Sequence, residues 1–318
     1  MKAFLSEKYG PPETLRLANV ETPAPNATEV LVKVHAISVN PADWHCLRGQ
    51  PVFSRATLGL LRPKHTILGV DIAGQVEGVG SAVKRFKLGD AVYGNLLDHG
   101  FGGFAEYVTV PTDVLALKPT NLSFEEAAAM PMAGVTALQG LRQHGEITAG
   151  QTVLINGASG GVGHFAVQMA KSYGAVVTGV TSTRNIDLVH SVGADHIIDY
   201  TRVDFTRTGQ VWDRILDTIG NRSVSDLSRA LAPDGKCAVV GFTTAGRLLG
   251  VALRGGKQIA MVAAHATAKD LELLAGLVES GKLRPVIDRR YAFVELPEAV
   301  RYLEKGRARG KVVVGDVA

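Results

Sequence analysis

The sequence contains few cysteines: Cys46 and Cys237 are the two among its 318 residues. Two cysteines cannot form a disulfide framework, and they cannot supply the four thiolates of a cysteine-rich zinc site. The chain also lacks a block of lysine and arginine, because its net charge of +4 is spread along the sequence. These absences exclude a disulfide-stabilised secreted domain and a basic nucleic-acid-binding arm.

Long apolar segments are also missing. The first eight residues, Met-Lys-Ala-Phe-Leu-Ser-Glu-Lys, contain no apolar core of the kind found in a signal peptide. The nearly uncharged run from Thr148 to Ala170 is interrupted by turn-forming glycines, so it does not have the pattern of a membrane span. We therefore expect a cytoplasmic protein that binds neither membranes nor nucleic acids.

The chain does have abundant glycine, 36 residues, and an apolar fraction of 46%. Its length predicts two domains, and its first part is rich in short β-branched segments separated by turns. Strand-like runs occur at 30–39, 70–79, 91–93 and 104–110. Short strands with frequent turns are typical of a compact barrel. The segment 51–65 has neither a helical nor a strand period and is predicted to be a loop.

Helices and strands alternate from residue 121 onward. Ser123 and Glu126 have the spacing of a capping box at the start of an alanine-rich helix. Further short apolar runs lie at 153–155, 175–181, 196–199, 214–217, 237–240 and 259–264. Helical segments, near 187–192 and 223–231 among others, separate these runs. Six strands with helical crossovers predict a doubly wound parallel sheet.

The C-terminal segment returns to strand-like pieces at 292–294 and 311–314, after a helix predicted near 269–280. It is too short to be a domain of its own, so we expect it to complete the first one. The sequence thus predicts an α/β protein in which residues 1–120 and 281–318 form one domain and residues 121–280 the other.

A glycine-rich turn follows the first of the parallel strands. The run Asn156-Gly-Ala-Ser-Gly-Gly-Val-Gly163 lies between an apolar strand and a helix that ends near Gly174. Free N–H groups and the dipole at a helix start attract a pyrophosphate, and glycines allow the cofactor to approach closely. The first glycine of the usual GxGxxG pattern is replaced by Ala158, so a purely structural turn is the alternative. We predict a dinucleotide contacted by Ser159, Gly160, Gly161, Val162 and Gly163.

The end of the next strand discriminates between the two nicotinamide cofactors. NAD-binding folds usually place an acidic residue here, to hold the ribose 2′-hydroxyl. In this chain the segment Thr181-Ser-Thr-Arg-Asn185 contains no acid. Ser182 and Arg184 would instead form charge-assisted hydrogen bonds with a 2′-phosphate. The pattern predicts NADP(H), bound in part by Thr181, Ser182 and Arg184, with NAD or a merely solvated arginine as the alternatives.

Several further motifs, in their order and spacing, carry a resemblance to a known family. They are Asn40-Pro-Ala-Asp-Trp-His-Cys-Leu-Arg-Gly49, Gly69–Gly74, Gly89–Gly94, Gly102–Tyr107, Gly193–Asp195 with Asp199-Tyr200, and Gly310–Val312. Over nearly its whole length the chain resembles the medium-chain dehydrogenase/reductase superfamily, in particular its zinc-free quinone oxidoreductase branch. The resemblance implies a GroES-like β-barrel interrupted by a Rossmann domain. It also implies a homodimer formed through the sheet edge near Ile259.

The resemblance bears on metal as well. The zinc alcohol dehydrogenases of this superfamily have a cysteine ligand where Asn40 stands and a histidine ligand where Val70 stands. The segment 95–104 also lacks the cysteines of their structural-zinc lobe. The remaining candidate ligands are His45, Cys46 and His65. Adjacent histidine and cysteine are poorly placed to converge on one ion, so we predict no metal.

Without a Lewis acid, the site is suited to hydride donation into an acceptor that is already electrophilic, such as a quinone or an α,β-unsaturated carbonyl. The resemblance implies that Asn40 touches substrate or nicotinamide, although it could equally serve the turn before Pro41. Asp43 is the second catalytic candidate, but Asp43 and Arg48 fit an internal ion pair better than an acid–base couple. His45 is either a surface residue or a proton donor.

The remaining predicted cofactor contacts are Thr136, Tyr200, Asp217, Gly241, Phe242 and Lys311. The resemblance implies that Thr136 is a helix-start threonine at the nicotinamide, and we expect Tyr200 to pack on the adenosine side. The next three lie in loops at carboxyl ends of strands, where such folds bind cofactors. The lysine either reaches the cofactor or caps the last strand. Segments 51–65 and 244–257 are expected to line the substrate pocket.

The predicted function is NADPH-dependent reduction of a quinone or an α,β-unsaturated carbonyl. Two alternatives stay open at this point: a zinc-free alcohol or aldehyde reductase, and an NADPH-binding protein with little turnover.

Overall fold

The computed structural model describes residues 1–317, leaving aside the side chains of Ala245 and Leu248. Within that range the strands are β1 Lys2–Leu5, β2 Arg16–Asn19, β3 Glu29–Val39, β4 Asp71–Val79, β5 Ala91–Asn95, β6 Tyr107–Pro111, β7 Leu115–Leu117, β8 Thr152–Asn156, β9 Val176–Thr181, β10 His196–Asp199, β11 Trp212–Asp217, β12 Leu231–Val239, β13 Ile259–Met261, β14 Ile287–Ala292 and β15 Lys311–Gly315. The α-helices are α1 Pro41–Arg48, α2 Arg55–Leu58, α3 Phe124–Ala128, α4 Pro131–Arg142, α5 Gly163–Ser172, α6 Ile186–Ser191, α7 Val224–Arg229, α8 Ala245–Arg254, α9 Ala268–Glu279 and α10 Leu296–Glu304.

The chain forms two compact units. The first contains residues 1–132, 266–280 and the segment from 287 onward, and the second contains residues 133–265 and 281–286. Each has its own apolar core.

The first unit is built on a seven-stranded sheet with the order β14-β15-β3-β4-β5-β7, in which β6 also pairs with β3. The long strand β3 explains this arrangement. Its residues Val30, Val32 and Val34 are fully buried, and half-buried residues alternate with them, so one face packs on the core. The last strand, β15, pairs antiparallel with β3 and places Val312 opposite Val39. This register brings Lys311, just before Val312, level with Asn40.

The second unit is built on a six-stranded parallel sheet with the order β10-β9-β8-β11-β12-β13. The predicted doubly wound sheet is confirmed. The strand order reverses between β8 and β11, and in open α/β sheets this switch point, outside the carboxyl ends of the strands, is where ligands bind. The glycine-rich turn after β8 lies at this position.

The limits of the units differ from the predicted boundaries in three places. Residues 121–132 belong to the first unit, which ends its first segment at Met132 and not at residue 120. Helix α9 belongs to the first unit because it packs on β7, and the Tyr93 hydroxyl donates to the Leu271 carbonyl at 2.5 Å. Residues 281–286 belong to the second, where the Val286 amide donates to His164 at 3.1 Å. Contacts between residues far apart in the sequence decide the assignments of α9 and of residues 281–286. No local sequence pattern predicts such contacts.

Two local predictions were wrong in part. The segment 292–294 is the end of β14 followed by a 3₁₀ turn, because Glu295 accepts a hydrogen bond from the Ala292 amide and turns the chain into α10. The segment 51–65 is not all loop, since it contains a 3₁₀ turn at 52–54 and the short helix α2.

Within residues 1–317, no helix is long and apolar enough to cross a membrane.

Candidate active site

The glycine turn after β8 opens directly into α5. The Gly160 amide donates to the Gly157 carbonyl at 3.0 Å, which closes the turn. A β-carbon at Gly163 would lie 2.1 Å from the same carbonyl oxygen, so only glycine fits there. A β-carbon at Gly160 would meet that oxygen alone, at 3.3 Å, with otherwise open space around it. The surface above Gly160 is therefore accessible to a bound group, as a pyrophosphate site requires.

A buried hydrogen-bond triad lies beneath this turn. The Ser159 hydroxyl accepts hydrogen bonds from the Thr181 hydroxyl at 2.9 Å and the Asn185 amide at 3.0 Å. All three residues are buried. Thr181 and Ser159 therefore fix the end of β9 against the glycine turn. Asn185 was not anticipated as part of this site, although its place beside the predicted cofactor contacts was the available signal.

Ser182 and Arg184 lie at the carboxyl end of β9, where the chain enters a 3₁₀ turn. Ser182 is half-buried and Arg184 is exposed. The carboxylate of Asp199, at the end of the adjacent strand β10, accepts hydrogen bonds from the hydroxyls of Thr183 and Thr201. The bond from Thr183 is the largest effect lowering the pKa of Asp199. Tyr200 follows and is 56% exposed.

Asp217, at the end of β11, organises the loop that follows it. One carboxylate oxygen accepts from the Asn156 side chain at 2.8 Å and from the amides of Ile219 and Gly220, each at 3.0 Å. The other oxygen is buried and has no hydrogen-bond partner among the described residues. Gly220 has φ +66°, and a β-carbon on it would lie 1.6 Å from the Gly241 carbonyl oxygen. The loops after β11 and β12 are thus packed against each other.

Three more of the predicted cofactor contacts lie in the second unit: Gly241, Phe242 and Thr136. Gly241 and Phe242 are partly buried in the loop after β12. Thr136 is 7% exposed within α4. The expectation that it stands at the start of a helix was wrong, because α4 already begins at Pro131.

The first unit contains a buried polar cluster made of Asn40, Asp71, Asn95 and Lys311. The Asn40 side-chain amide donates to Asp71 at 2.9 Å and to the Ser38 carbonyl at 3.0 Å, and its oxygen accepts from the Lys311 ammonium at 2.6 Å. Asn95 donates to the other oxygen of Asp71 at 2.7 Å. The ammonium also lies 3.6 Å from Asp71. Asn40 therefore uses both of its N–H donors inside the protein.

Burial changes the proton affinities in this cluster. Loss of solvent raises the pKa of Asp71 and lowers that of Lys311, while their mutual attraction opposes both shifts. Burial raises the pKa of Asp43 to about 8, and the charge of Asp71 adds to this effect. Asp43 is 1% exposed and accepts a hydrogen bond from the Asn40 amide at 2.7 Å. Its second oxygen has no partner among the described residues.

The predicted ion pair between Asp43 and Arg48 was wrong. Both residues lie in α1, but Asp43 turns back to the start of the helix and Arg48 forms a two-pronged pair with Glu304 of α10, with one bond of 2.9 Å. His45 is not a simple surface residue either: its ring stacks on Trp44 at 3.6 Å and burial lowers its pKa. Among residues 1–317 no group of three or more histidine, cysteine or acidic side chains could hold a metal ion.

Sequence reasoning missed Asp71 and Asn95 as members of the polar cluster. Asp71 stands between Val70 and Ile72 in a strand whose first four residues are all buried. An acid inside an apolar run must be paired or neutralised when buried. That pattern was the available signal.

Two family models match this chain. Residues 26–120 match the alcohol dehydrogenase GroES-like domain, and residues 192–314 match the zinc-binding dehydrogenase family. The GroES-like match covers strands β3 to β7 of the sheet in the first unit.

Characterised relatives match over nearly the whole chain. A 2-methylene-furan-3-one reductase of Solanum lycopersicum is 37% identical over 100% of this chain and 79% of its own length. A chloroplastic NADPH-dependent alkenal/one oxidoreductase of Arabidopsis thaliana is 36% identical over 99% of this chain and 79% of its own length. Among solved structures, the quinone oxidoreductase from Coxiella burnetii has a TM-score of 0.88, with 34% identity over 99% of both chains.

Proposed function

The chain belongs to the medium-chain dehydrogenase/reductase superfamily, in its zinc-free quinone oxidoreductase and alkenal reductase branch, and on that premise we propose that it is an NADPH-dependent reductase of quinones or α,β-unsaturated carbonyls. The observation that carries the proposal is the glycine turn at the switch point of the parallel sheet. Open space over Gly160 and an acid-free strand end at Ser182 and Arg184 fit a dinucleotide with a 2′-phosphate.

A bound reduced nicotinamide supplies a hydride. The chain holds the dinucleotide through the amides of the glycine turn, Ser159 to Gly163. Asp217 shapes the neighbouring loop, and Thr136, Gly241, Phe242, Tyr200 and Lys311 remain proposed contacts. A hydride added to a conjugated carbonyl leaves an enolate-like oxygen, which hydrogen-bond donors can stabilise without a metal ion. Because both N–H groups of Asn40 are engaged within the protein, we assign Asn40 and Asp43 as positioning residues for the start of α1.

Preference for NADPH over NADH is tested at Arg184. An Arg184→Ala variant should raise the KM for NADPH about 10-fold and leave the KM for NADH unchanged, because the charge-assisted bonds to the 2′-phosphate are lost. Arg202 is a suitable control, since it is also an exposed arginine near this edge and its guanidinium lies 3.6 Å from the Asp199 carboxylate. Equal losses for both cofactors would contradict the assignment of the 2′-phosphate to this arginine.

The acceptor class is tested by NADPH oxidation against three kinds of compound: quinones, enals or enones, and saturated ketones or aldehydes. Turnover of the first two but not the third supports the proposed function. Turnover of saturated carbonyls alone identifies an alcohol or aldehyde reductase. Tight NADPH binding with no turnover of any acceptor identifies a binding protein.

We also propose that the protein is a homodimer of the cytoplasm. Strand β13 is the edge of the six-stranded sheet, and its residue Met261 is 37% exposed, which supports pairing with a second copy at this edge. Light scattering after size-exclusion chromatography should give twice the chain mass of 33.6 kDa. A Met261→Glu variant should shift the protein to monomer. Cell fractionation should recover the protein in the cytoplasmic fraction.

A further inference from the structure

A cavity of about 360 Å³ lies between α7 and α8 in the second unit. The side chains and backbone that matter for its chemistry are those of Arg222, Ser223, Ser225, Arg247, Gly250 and Arg254. Three arginines and two hydroxyls line the space, and no acidic side chain is among the described residues that line it. Guanidinium groups of this kind recognise carboxylates and phosphates through paired hydrogen bonds.

Among the described residues, acidic partners balance the charge of one of the three arginines and leave two unbalanced. Arg222 donates to Asp204 at 2.8 Å, which neutralises one charge, but its Nε is buried without a hydrogen-bond partner among the described residues. Arg247 and Arg254 have no ion-pair partner in the part of the chain that the structure describes. Two uncompensated positive charges therefore face one small space, which favours an anionic occupant.

Helix α8 is arranged so that this space stays open. Arg247, Gly250 and Arg254 are spaced three and four residues apart, so they lie on one face of the helix. A β-carbon at Gly250 would meet no atom within 4 Å. Glycine in the middle of a helix costs about 0.5–1 kcal/mol relative to alanine, and no internal contact here requires it. Its effect is to leave room between the two arginines.

The cavity is placed for a substrate of the proposed reaction. The segment carrying Arg222 follows the carboxyl end of β11, and α8 follows the carboxyl end of β12. Ligands of open parallel sheets bind along this edge. The 2′-phosphate has its own proposed place at the end of β9, on the other side of the switch point. The arginine cavity is thus left for a second anion.

We propose that this cavity binds an anionic group, a carboxylate or phosphate, carried by the acceptor, and that Arg247 and Arg254 are specificity-determining residues. The inference rests on the proposed function, and it narrows the acceptor to an α,β-unsaturated carbonyl or quinone with an acidic tail. Hydride addition takes place at the conjugated carbon, and the tail undergoes no chemistry.

The test compares enones that carry a terminal carboxylate on chains of increasing length with their uncharged methyl esters. The wild-type enzyme should show a KM for the best acid at least 10-fold below that of its ester. The double variant Arg247→Ala/Arg254→Ala should raise the KM for the acid about 10- to 100-fold and leave the ester and NADPH unaffected. The variant Gly250→Leu should also raise the KM for the acid and leave the KM values for the ester and NADPH unchanged, because the leucine side chain fills the cavity. Lys269→Ala, which removes an exposed cation of α9 outside the cavity and outside segment 244–257, is the matched control.

Each other outcome has a distinct meaning. Acid and ester turned over equally by wild type and variants would overturn the proposal while leaving the proposed function intact. A raised KM for NADPH in the arginine variants would assign the cavity to the cofactor instead. Inorganic phosphate that competes with the acid more strongly than acetate does would point to a phosphate-bearing acceptor. If no acceptor is reduced, the proposed function fails, and equilibrium titration of acid and ester in the presence of NADP⁺ still tests the cavity.

Discussion

The charge state of Asp43 gives the sharpest prediction from the structure. Asp43 is buried in α1, and the charged or titratable groups that influence it are Asp71, Lys311 and the Cys46 thiol. Its pKa of about 8 means that the carboxyl group is mostly protonated at neutral pH. Replacing it with asparagine therefore changes little at pH 6. The asparagine oxygen can still accept the hydrogen bond from the Asn40 amide.

The magnitude follows from the difference between the folded and unfolded pKa values. Folding raises the pKa of Asp43 from its ordinary value of 3.8 to about 8, so the folded state holds the proton more tightly. The stability that this provides is fully present below about pH 3.8 and is lost as the pH rises through 8. Each pH unit in that window costs about 1.4 kcal/mol, so the wild-type protein should lose about 2 kcal/mol between pH 6 and pH 8.

The assay is urea unfolding of wild type and Asp43→Asn at pH 6, 7 and 8, followed by the fluorescence of Trp44, the neighbour of Asp43 in α1. A Trp212→Phe background removes the other tryptophan of the chain. The difference in unfolding free energy between the two proteins should move by about 2 kcal/mol in favour of the asparagine variant as the pH rises. Asp234→Asn, which alters an exposed acid, is the control. Parallel pH dependences of wild type and Asp43→Asn would refute the assignment of a proton to Asp43.

Three further predictions follow from the same structure. Lys311→Met should destabilise the protein by about 3–5 kcal/mol, because it leaves the buried charge of Asp71 unpaired, and adding Asp71→Asn should recover part of this loss in a double-mutant cycle. Gly160→Ala should keep the melting temperature of the wild type but bind NADPH poorly in a fluorescence titration. Gly163→Ala should lose both stability and NADPH binding, since its β-carbon would lie 2.1 Å from the Gly157 carbonyl oxygen. Arg48→Met should cost about 1–2 kcal/mol in urea unfolding by removing the pair with Glu304, and the same loss in Glu304→Gln, without addition in the double variant, would show that the two residues act as one unit.

The elements that carry a strong local pattern were predictable. The six strands of the parallel sheet have short apolar runs, so the fold followed from the sequence. The glycine turn after β8 is recognisable by its composition, and the cofactor contacts at this turn stay a prediction. The acid-free strand end near Arg184 was equally visible. The alternating burial in β3 also matches its alternating sequence.

The partners of buried polar residues were not predictable. The sequence predicted that Arg48 pairs with Asp43, the acid nearest to it in the sequence. In the structure its partner is Glu304, which is 256 residues away. Asp71 and Asn95 join Asn40 and Lys311 only because the register of β15 on β3 and of β4 on β5 brings four strand ends together. Such contacts depend on sheet topology, which a local pattern does not contain.

The central claim concerns where the hydride goes. The most direct measurement incubates the enzyme with an unsaturated ketone and NADPH deuterated at the nicotinamide C4, and then locates the label in the product by NMR. The proposed function predicts deuterium on the β-carbon of a saturated ketone whose carbonyl is intact. Deuterium on the carbonyl carbon of an allylic alcohol would contradict it and identify a carbonyl reductase, and an unlabelled, unreacted ketone in the presence of bound cofactor would identify a binding protein.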